Sequence, residues 1–244
     1  MKEWIVGRNP VYEVLRARRR QFFELKIARG VEEKGRIEQI KELAGKFHFP
    51  LNYVDRNQLN TLAENHQGVA LQVSAYPYAE IQGIFHLADQ KKESLFILIL
   101  DVLQDPQNFG TLIRSAEAFG VHGIIIPPNR AVGVIPSVVH VSSGASEHML
   151  IVQGNLAQTI EALKQNEVWV VGMEFSHHAQ PIETLDLLGN LALVIGSEGE
   201  GLRKLTRKSC DYLAKLPMVG NVSSLNAATA GSIALYVAYQ SRKK

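Results

Sequence analysis

Three loops of this chain contain glycines and polar side chains of the types that bind ligands or take part in catalysis. They run over residues 105–114 (DPQNFGTLIR), 193–202 (LVIGSEGEGL) and 216–226 (LPMVGNVSSLN). Glycines let backbone groups approach a ligand closely, because no Cβ intervenes. An arginine such as Arg114 can hold a phosphate through two parallel hydrogen bonds. These loops are therefore the first candidates for a functional site.

Each loop also has a structural explanation when it is considered alone. Asn108 could cap the helix that follows it, since asparagine is favoured at helix N-caps. Gly201 could open a helix after a tight turn, and Glu198 is an acid of the kind that a helix N-terminus favours. Ser224 and Asn226 could cap the last helix in the same way. No single loop is decisive.

Four apolar runs predict the strands that position these loops, at residues 95–100, 123–127, 168–173 and 191–196. Apolar runs without alternation are typical of a parallel sheet that helices cover on both faces. Helices are predicted between and after the strands, at residues 109–119, 156–165, 201–210 and 225–239. Ligands of such sheets bind where the carboxyl ends of strands turn into loops. The sequence thus predicts an α/β domain with the three loops at one edge of its sheet.

The first part of the chain predicts a smaller α/β unit. Strands are expected at residues 22–28, 51–54 and 69–73, and helices at 11–20, 36–47 and 56–64. Because strands and helices alternate, we expect a small mixed or parallel sheet. Residues 77–93 have no sustained pattern and are predicted to be a linker that could contain a helical turn. The predicted domains are therefore residues 1–76 and residues 94–244.

Basic charge is concentrated at the two ends of the chain, although the formal net charge is only +2. Residues 1–30 hold eight basic and three acidic side chains, and residues 201–244 hold eight basic and one acidic. Such patches commonly neutralise the phosphates of a nucleic acid. A solvated, solubilising helix end is the alternative from charge alone.

Cysteine content and hydropathy indicate a soluble protein of a reducing compartment, which we expect to be the cytoplasm. Cys210 is the single cysteine, so neither an intrachain disulfide nor a cysteine-built metal site is available. The longest purely apolar run, residues 95–100, is far shorter than a membrane span. His177 and His178 lack suitably spaced partners, and no metal site is expected.

The three loops, in this order and at these intervals, resemble the three motifs of the SpoU (TrmH) family of RNA 2′-O-ribose methyltransferases, within the SPOUT superfamily. Residues 6–15 (VGRNPVYEVL) and 65–69 (NHQGV) resemble the substrate-binding domain of the subgroup that methylates a guanosine of 23S rRNA. The resemblance implies a knotted catalytic domain, with a C-terminal trefoil knot, preceded by a ribosomal-protein-like RNA-binding domain. It also implies that the cofactor is S-adenosylmethionine and that the protein is a homodimer.

Residue by residue, the resemblance assigns the site. Gly196, Leu216 and Leu225 match positions whose backbones hold the cofactor, and Met218 lies in the same turn. The resemblance makes catalytic candidates of Arg114, Asn108, Glu198, Ser224 and Asn226. With an RNA substrate, the basic N-terminal side chains become candidate RNA contacts, namely Arg8, Arg16, Arg18, Arg19 and Arg20.

Arg114 has two roles proposed in the family, deprotonation of the 2′-hydroxyl or a grip on the adjacent phosphate. A guanidinium stays protonated in proteins, so the phosphate grip is the easier chemistry. An ion pair with Glu117 on an exposed helix face is the structural alternative.

Other functions fit the sequence less well. A methyltransferase acting on tRNA or on another rRNA site would share the catalytic motifs, and a non-catalytic RNA-binding relative would share the fold. A nucleotide-binding dehydrogenase would need a G-x-G-x-x-G run at the start of a βαβ unit, and the chain has none. A serine hydrolase would need a G-x-S-x-G elbow, which is also missing.

Overall fold

The computed structural model describes residues 2–197, 199, 201–221 and 224–243. These residues form two compact units. The first contains the described residues up to Pro77 together with Gly133–His148, and the second contains Tyr78–Val132 and the described residues from Met149 onward. The second unit is therefore interrupted by a segment that belongs to the first.

The first unit is built on a mixed four-stranded sheet in the order β1-β4-β2-β3. Only β2 and β3 pair in parallel, while β4 is antiparallel to both of its neighbours. The strands are β1 (Lys2–Val6), β2 (Phe22–Ala28), β3 (Leu51–Val54) and β4 (Val69–Ser74). The helices are α1 (Arg8–Ala17), α2 (Arg36–Ala44), α3 (Arg56–Asn60) and, from the inserted segment, α6 (Pro136–Val141). Fully buried aliphatic side chains from strands and helices, such as Leu15, Leu25 and Ile40, form its core.

A buried ion pair joins the inserted segment to the rest of the first unit. The Arg20 guanidinium donates from Nε to Glu147 Oε2 at 2.9 Å and from Nη2 to Glu147 Oε1 at 2.7 Å. Its Nη1 atom donates to Glu3 and to the Ser74 carbonyl. The side chains of Arg20 and Glu147 have no exposed surface. The prediction that Arg20 contacts RNA is therefore wrong, because its donors are used by the carboxylates of Glu147 and Glu3 and by the Ser74 carbonyl.

The second unit contains a seven-stranded, entirely parallel sheet in the order β7-β6-β5-β10-β8-β11-β9. Its strands are β5 (Phe96–Asp101), β6 (Gly123–Ile126), β7 (Leu150–Gln153), β8 (Trp169–Met173), β9 (Gln180–Pro181), β10 (Leu191–Gly196) and β11 (Tyr212–Lys215). The α/β class and the parallel sheet are confirmed. The trefoil knot stays a prediction.

The stretch predicted to be a linker contains a helix of the second unit. Helix α4 runs over Ile81–Lys91, and its Ile84 and Ala88 are buried in the core of this unit. A Cβ added at Gly123 would lie 2.3 Å from Ile84 Cδ1, so the helix approaches strand β6 very closely. Ile81, Ile84, Phe85 and Ala88 have the i, i+3, i+4, i+7 spacing of an amphipathic helix, so the helical period was present in the sequence and was missed.

Helices α5 (Pro106–Ala118) and α9 (Ala227–Arg242) pack against each other in the second unit, which also contains α7 (Leu156–Gln165) and α8 (Lys204–Ser209). A Cβ added at Gly231 would lie 2.5 Å from Leu112 Cδ2, and the hydroxyls of Ser115 and Ser232 are 2.8 Å apart. Because α5 begins at Pro106, nearly all of the segment identified as the first loop is helical, and this contact brings it next to the helix that follows the third loop. In the described part of the chain, no helix has both the length and the apolar character needed to cross a membrane.

Replacing Glu147 with Gln tests the buried ion pair. The substitution leaves the Arg20 charge buried without its main partner, which typically costs about 3–5 kcal/mol. We expect a loss of that size in the free energy of unfolding of the first unit, measured by chemical denaturation. Glu32→Gln is the control, because the Glu32–Lys34 pair is exposed and should contribute less than about 1 kcal/mol. Equal effects of the two substitutions would contradict the role given to the buried pair.

Candidate functional site

A cavity of about 590 Å³ opens at the carboxyl ends of three neighbouring strands, β8, β10 and β11. Its lining comes from the segments that leave these strands and from the start of α9. Parallel pairing places the carboxyl ends of strands at one edge of the sheet, which is where ligands of such sheets bind. The second and third loops therefore meet at one site, as their sequence positions predicted.

The glycines of the second loop allow its backbone to fold back against the end of β10. Ser197 and Gly201 exchange two backbone hydrogen bonds of 3.1 Å. A Cβ added at Gly196 would lie 2.2 Å from the carbonyl carbon of Gly201, so no other residue fits there without moving the loop. Gly199 and Gly201 have φ values of +80° and +65°, which favour glycine. The described glycines of the loop, Gly196, Gly199 and Gly201, thus bring backbone to the wall of the cavity.

All four predicted cofactor residues, Gly196, Leu216, Met218 and Leu225, line this cavity. The leucine and methionine side chains offer apolar surface to a flat ring. Further charged residues lie on the same wall, namely Glu174, Lys204, Arg207 and Lys215. Charges of both signs suit the ammonium and carboxylate groups of an amino acid. The residues present therefore fit S-adenosylmethionine, which combines an adenine ring with an amino acid end.

Three lining residues, Met173, Glu174 and Phe175, were missed by the sequence analysis. They follow directly from β8, and Arg207 Nε donates to Glu174 Oε2 at 2.9 Å. The signal was available, because residues 168–173 were predicted to be a strand. Ligands of parallel sheets bind at the carboxyl ends of strands, so the residues that end and follow this strand were also candidates for the site.

Asp101 at the end of β5 is a further residue that the sequence analysis missed. Its carboxylate is fully buried and accepts hydrogen bonds from Arg203 N at 2.9 Å and from Arg203 Nε at 2.6 Å. This pair fixes the chain immediately after Gly201 and Leu202, two residues of the cavity wall. An acid that ends an otherwise apolar run is the sequence signal that could have identified it.

The first and third loops meet through two asparagines. Asn226 Nδ2 donates to Asn108 Oδ1 at 2.9 Å. Asn226 Oδ1 also accepts from the backbone N–H groups of Ala228 and Thr229, so Asn226 caps α9. Asn108 does not cap α5, because that role belongs to Asp105. Asn108 is instead a buried residue of the first turn of α5, held against the third loop.

Ser224, Arg114 and Glu198 are the three remaining catalytic candidates. Ser224 lines the cavity. Arg114 is an exposed residue of α5 and is not part of the cavity wall. Glu198 lies outside the described residues. The structure thus brings Ser224 to the cofactor residues and Asn108 to Asn226, and leaves Arg114 at the surface.

The candidate RNA contacts differ strongly in their surroundings. Arg16 and Arg18 are exposed at the end of α1, where Arg16 forms an ion pair with Glu13 at 3.2 Å. Arg19 is half-buried, and it donates to the Tyr76 hydroxyl at 3.2 Å and to the carbonyl of Pro77 at 3.1 Å. Arg8 lies at the opposite end of the same helix. Arg16 and Arg18 are therefore the accessible members of the predicted basic cluster.

Neither a metal centre nor a cysteine nucleophile is indicated by the described residues. They contain no group of three or more histidine, cysteine, aspartate or glutamate side chains that could hold a metal ion. Burial raises the pKa of the Cys210 thiol to about 12. Because the thiolate is the reactive form, this shift disfavours a nucleophilic role for Cys210.

Two family models match the chain. The model of the SpoU rRNA Methylase family matches residues 95–236. The model described as RNA 2′-O ribose methyltransferase substrate binding matches residues 4–79.

Relatives match over almost the whole chain. The protein YacO of Bacillus subtilis (strain 168), named as a TrmH family tRNA/rRNA methyltransferase, is 42% identical over 98% of this chain and 96% of its own length. A protein of the same family name from Staphylococcus aureus (strain COL) is 38% identical over 98% of this chain and 96% of its own length. The crystal structure of the SpoU methyltransferase AviRb from Streptomyces viridochromogenes, in complex with AdoMet, superposes with a TM-score of 0.82 at 24% identity. It covers 98% of this chain and 89% of that chain, and at this identity the likeness establishes the fold.

Replacing Gly196 with Ala tests the contact between β10 and the second loop. The added methyl group would overlap the Gly201 backbone, so we expect the loop to shift and S-adenosylmethionine binding to weaken by at least an order of magnitude. The measurement is isothermal titration calorimetry. Gly220→Ala is the matched control, because its Cβ would meet open space in the neighbouring loop. Unchanged binding by the Gly196 variant, together with a folded far-UV spectrum, would show that the close contact does not shape the site.

Proposed function

Because this chain belongs to the SpoU rRNA methylase family, we propose that it methylates a ribose 2′-hydroxyl of RNA, at a guanosine of 23S rRNA. Membership of the family makes it an RNA methyltransferase. The observation that carries the finer proposal is the cavity at the ends of β8, β10 and β11, whose wall contains all four residues expected to hold the cofactor. The 23S target follows from the resemblance of the N-terminal motifs to that subgroup.

The cavity of the second unit is the proposed site of S-adenosylmethionine. Backbone groups at Gly196, Leu216 and Leu225 would hold the adenosine part, and Met218 would cover it with apolar surface. When bound, this cofactor supplies an electrophilic methyl group on a sulfonium centre. The Asp101–Arg203 pair would hold the chain next to Gly201 and Leu202 in place before the cofactor binds. Such preorganisation contributes to the rate by positioning the reacting groups.

Arg114 is proposed to hold the phosphate next to the target ribose. Its side chain is exposed on α5, where a large substrate such as RNA can reach it. A non-bridging oxygen of the phosphate that Arg114 holds would accept the proton of the 2′-hydroxyl when the methyl group is transferred. The guanidinium itself keeps its protons, as expected from its high pKa, and its role is to orient the phosphate through paired hydrogen bonds.

The asparagine pair and Ser224 are proposed to position the ribose. Asn108 and Asn226 join the helix that carries Arg114 to the loop that carries Ser224. A hydrogen bond between these loops would keep the phosphate grip and the cofactor cavity at a constant separation. Glu198 is proposed to orient Arg114 or Asn108 through charge-assisted hydrogen bonds.

The active form is proposed to be a cytoplasmic homodimer. One face of α9 is buried within its own unit, but Ile233 and Tyr236 on this helix are 41% and 49% exposed. Tyr236 packs beside Phe119, the residue that follows α5, with ring centroids 5.6 Å apart. Apolar surface of this kind, next to the helix of Arg114, suits an interface with a second copy of the chain. In the family the active site forms beside the dimer interface.

A methyltransferase of tRNA or of another rRNA site is the main alternative. The names of the relatives from Bacillus subtilis and Staphylococcus aureus include both tRNA and rRNA. A non-catalytic RNA-binding relative is the second alternative, and the presence of every polar motif residue speaks against it.

Methyl transfer from labelled S-adenosylmethionine to unmodified 23S rRNA, with bulk tRNA in parallel, tests the proposed function. We expect label on a single guanosine of 23S rRNA, mapped to its 2′-oxygen. Label on tRNA alone would support methyl transfer to RNA but would show that 23S rRNA is not the substrate. Absence of label on both RNAs, despite cofactor binding, would favour the non-catalytic alternative.

The substitution Arg114→Ala tests the phosphate grip. Loss of one group that stabilises charge in the transition state typically lowers turnover about 10²–10³-fold, and we expect an effect of at least that size in single-turnover methylation. Cofactor affinity should stay the same, because Arg114 is not part of the cavity wall. Arg130→Ala, at another exposed arginine of the same unit, is the control. Loss of cofactor binding in the Arg114 variant would contradict the assigned role.

A further inference from the structure

The first unit has a cavity of its own, of about 510 Å³, with three arginines on its wall. It is formed where four segments of this unit meet, and its lining residues are Arg8, Ala28, Arg29, Gly30, Val31, Arg56, Gln67 and Gly68. We propose that this cavity, here called the arginine pocket, binds the phosphates of the substrate RNA backbone. The proposal deepens the proposed function and rests on RNA being the substrate.

The wall of the arginine pocket is rigid because a buried histidine holds the turn before β4. His66 Nδ1 accepts a hydrogen bond from the backbone N–H of Gly68 at 2.9 Å, and its Nε2 lies 2.9 Å from Asn60 Oδ1. This pattern requires neutral imidazole with the proton on Nε2. Burial, with the nearby positive charge of Arg56, lowers the pKa of His66 and favours the same form. The turn is thereby fixed at neutral pH.

Arg8 is anchored to the same turn through its backbone and through one side-chain nitrogen. Arg8 N donates to Gln67 Oε1 at 3.0 Å, and Arg8 Nε donates to the Gln67 carbonyl at 3.2 Å. Gln67 has a left-handed backbone, with φ of +52°. Because Nε is used in this way, the two terminal nitrogens of Arg8 are left to bind a ligand of the pocket.

The three arginines of the arginine pocket have no carboxylate within ion-pair distance in the described part of the chain. Arg8, Arg29 and Arg56 form no ion pair with any carboxylate among the described residues. The acids that follow Val31, Glu32 and Glu33, pair instead with Lys34 and Lys41. Guanidinium groups that share one cavity repel one another unless an anion lies between them. Their planar donor sets match phosphate oxygens in particular.

The size and openness of the pocket favour a polymer backbone over a free anion. A volume of about 510 Å³ far exceeds that of one phosphate and can hold a nucleotide unit. At Gly30 an added Cβ would meet nothing within 4 Å, so a ribose or base can approach the backbone there. Every lining residue also lies within residues 4–79, which match the substrate-binding model.

The test compares RNA affinity across salt concentrations for the wild-type chain and for the double variant Arg29→Gln/Arg56→Gln. Arg8 is left unchanged because it also holds the turn at Gln67. Fluorescence anisotropy is measured with a 23S rRNA transcript and with a short oligouridine. For each arginine removed, the slope of log affinity against log salt should fall by about 1. Loss of two charge-assisted contacts should weaken binding at least about tenfold.

Two controls make the result specific. Lys34→Gln/Lys46→Gln removes the same charge from exposed positions outside the pocket and should leave the slope nearly unchanged. Arg16→Gln/Arg18→Gln removes the exposed cluster at the other end of α1. An unchanged slope in the pocket variant, with a reduced slope in the Arg16/Arg18 variant, would overturn the proposal.

The RNA probes separate this proposal from the proposed function. A pocket-dependent slope on both RNAs without methylation of 23S rRNA would uphold the pocket and overturn the 23S target. Methylation of 23S rRNA by a pocket variant with wild-type affinity would uphold the function and overturn the pocket. Absence of RNA binding by the wild-type chain would overturn both.

Discussion

Strand β10 lies between β5 and β8, and its parallel pairing with both strands is the constraint on which the site depends. The register places Gly196 opposite Asp101 and Ile195 opposite Met173, so these strands end at the same level. The loops that leave them must then share one edge of the sheet, and the cavity forms there. A shift of this register would separate the glycine-rich loop from the carboxylate of Asp101, which holds the chain just beyond it.

Several interactions of the second unit serve the helices and the site at the same time. Asn226 satisfies the first N–H groups of α9, and its amide nitrogen reaches Asn108. Gly231 lets α9 approach α5 closely enough for that contact. Capping and close packing are usually treated as contributions to stability alone. Here the same contacts set the distance between the helix that carries Arg114 and the loop that carries Ser224, so stability and positioning are linked.

The arginines of the first unit differ in whether a carboxylate pairs with them. Arg20 is surrounded by Glu147 and Glu3 and is fully buried, whereas the arginine pocket has no paired carboxylate among the described residues. A buried charge requires partners, and an uncompensated one requires solvent or a ligand. The dense cluster of the sequence, residues 16–20, therefore combines exposed and structural side chains, while the pocket collects arginines that are far apart along the chain.

Local patterns in the sequence determined many of the strands and helices of this protein. The strand at residues 22–28, the helix at 156–165 and the strand at 191–196 were predicted with the bounds that the structure has. The glycine-rich loop of the site follows directly from the last of these strands. Hydrophobic period, glycine and capping residues act between near neighbours, and they can be recognised without knowledge of the fold. Only the tertiary structure decided that Glu147 neutralises Arg20 across 127 positions, that α4 packs into the core, and that Arg29 and Arg56 share a pocket. The free energy of such contacts depends on burial and distance, which are set when remote parts of the chain pack together.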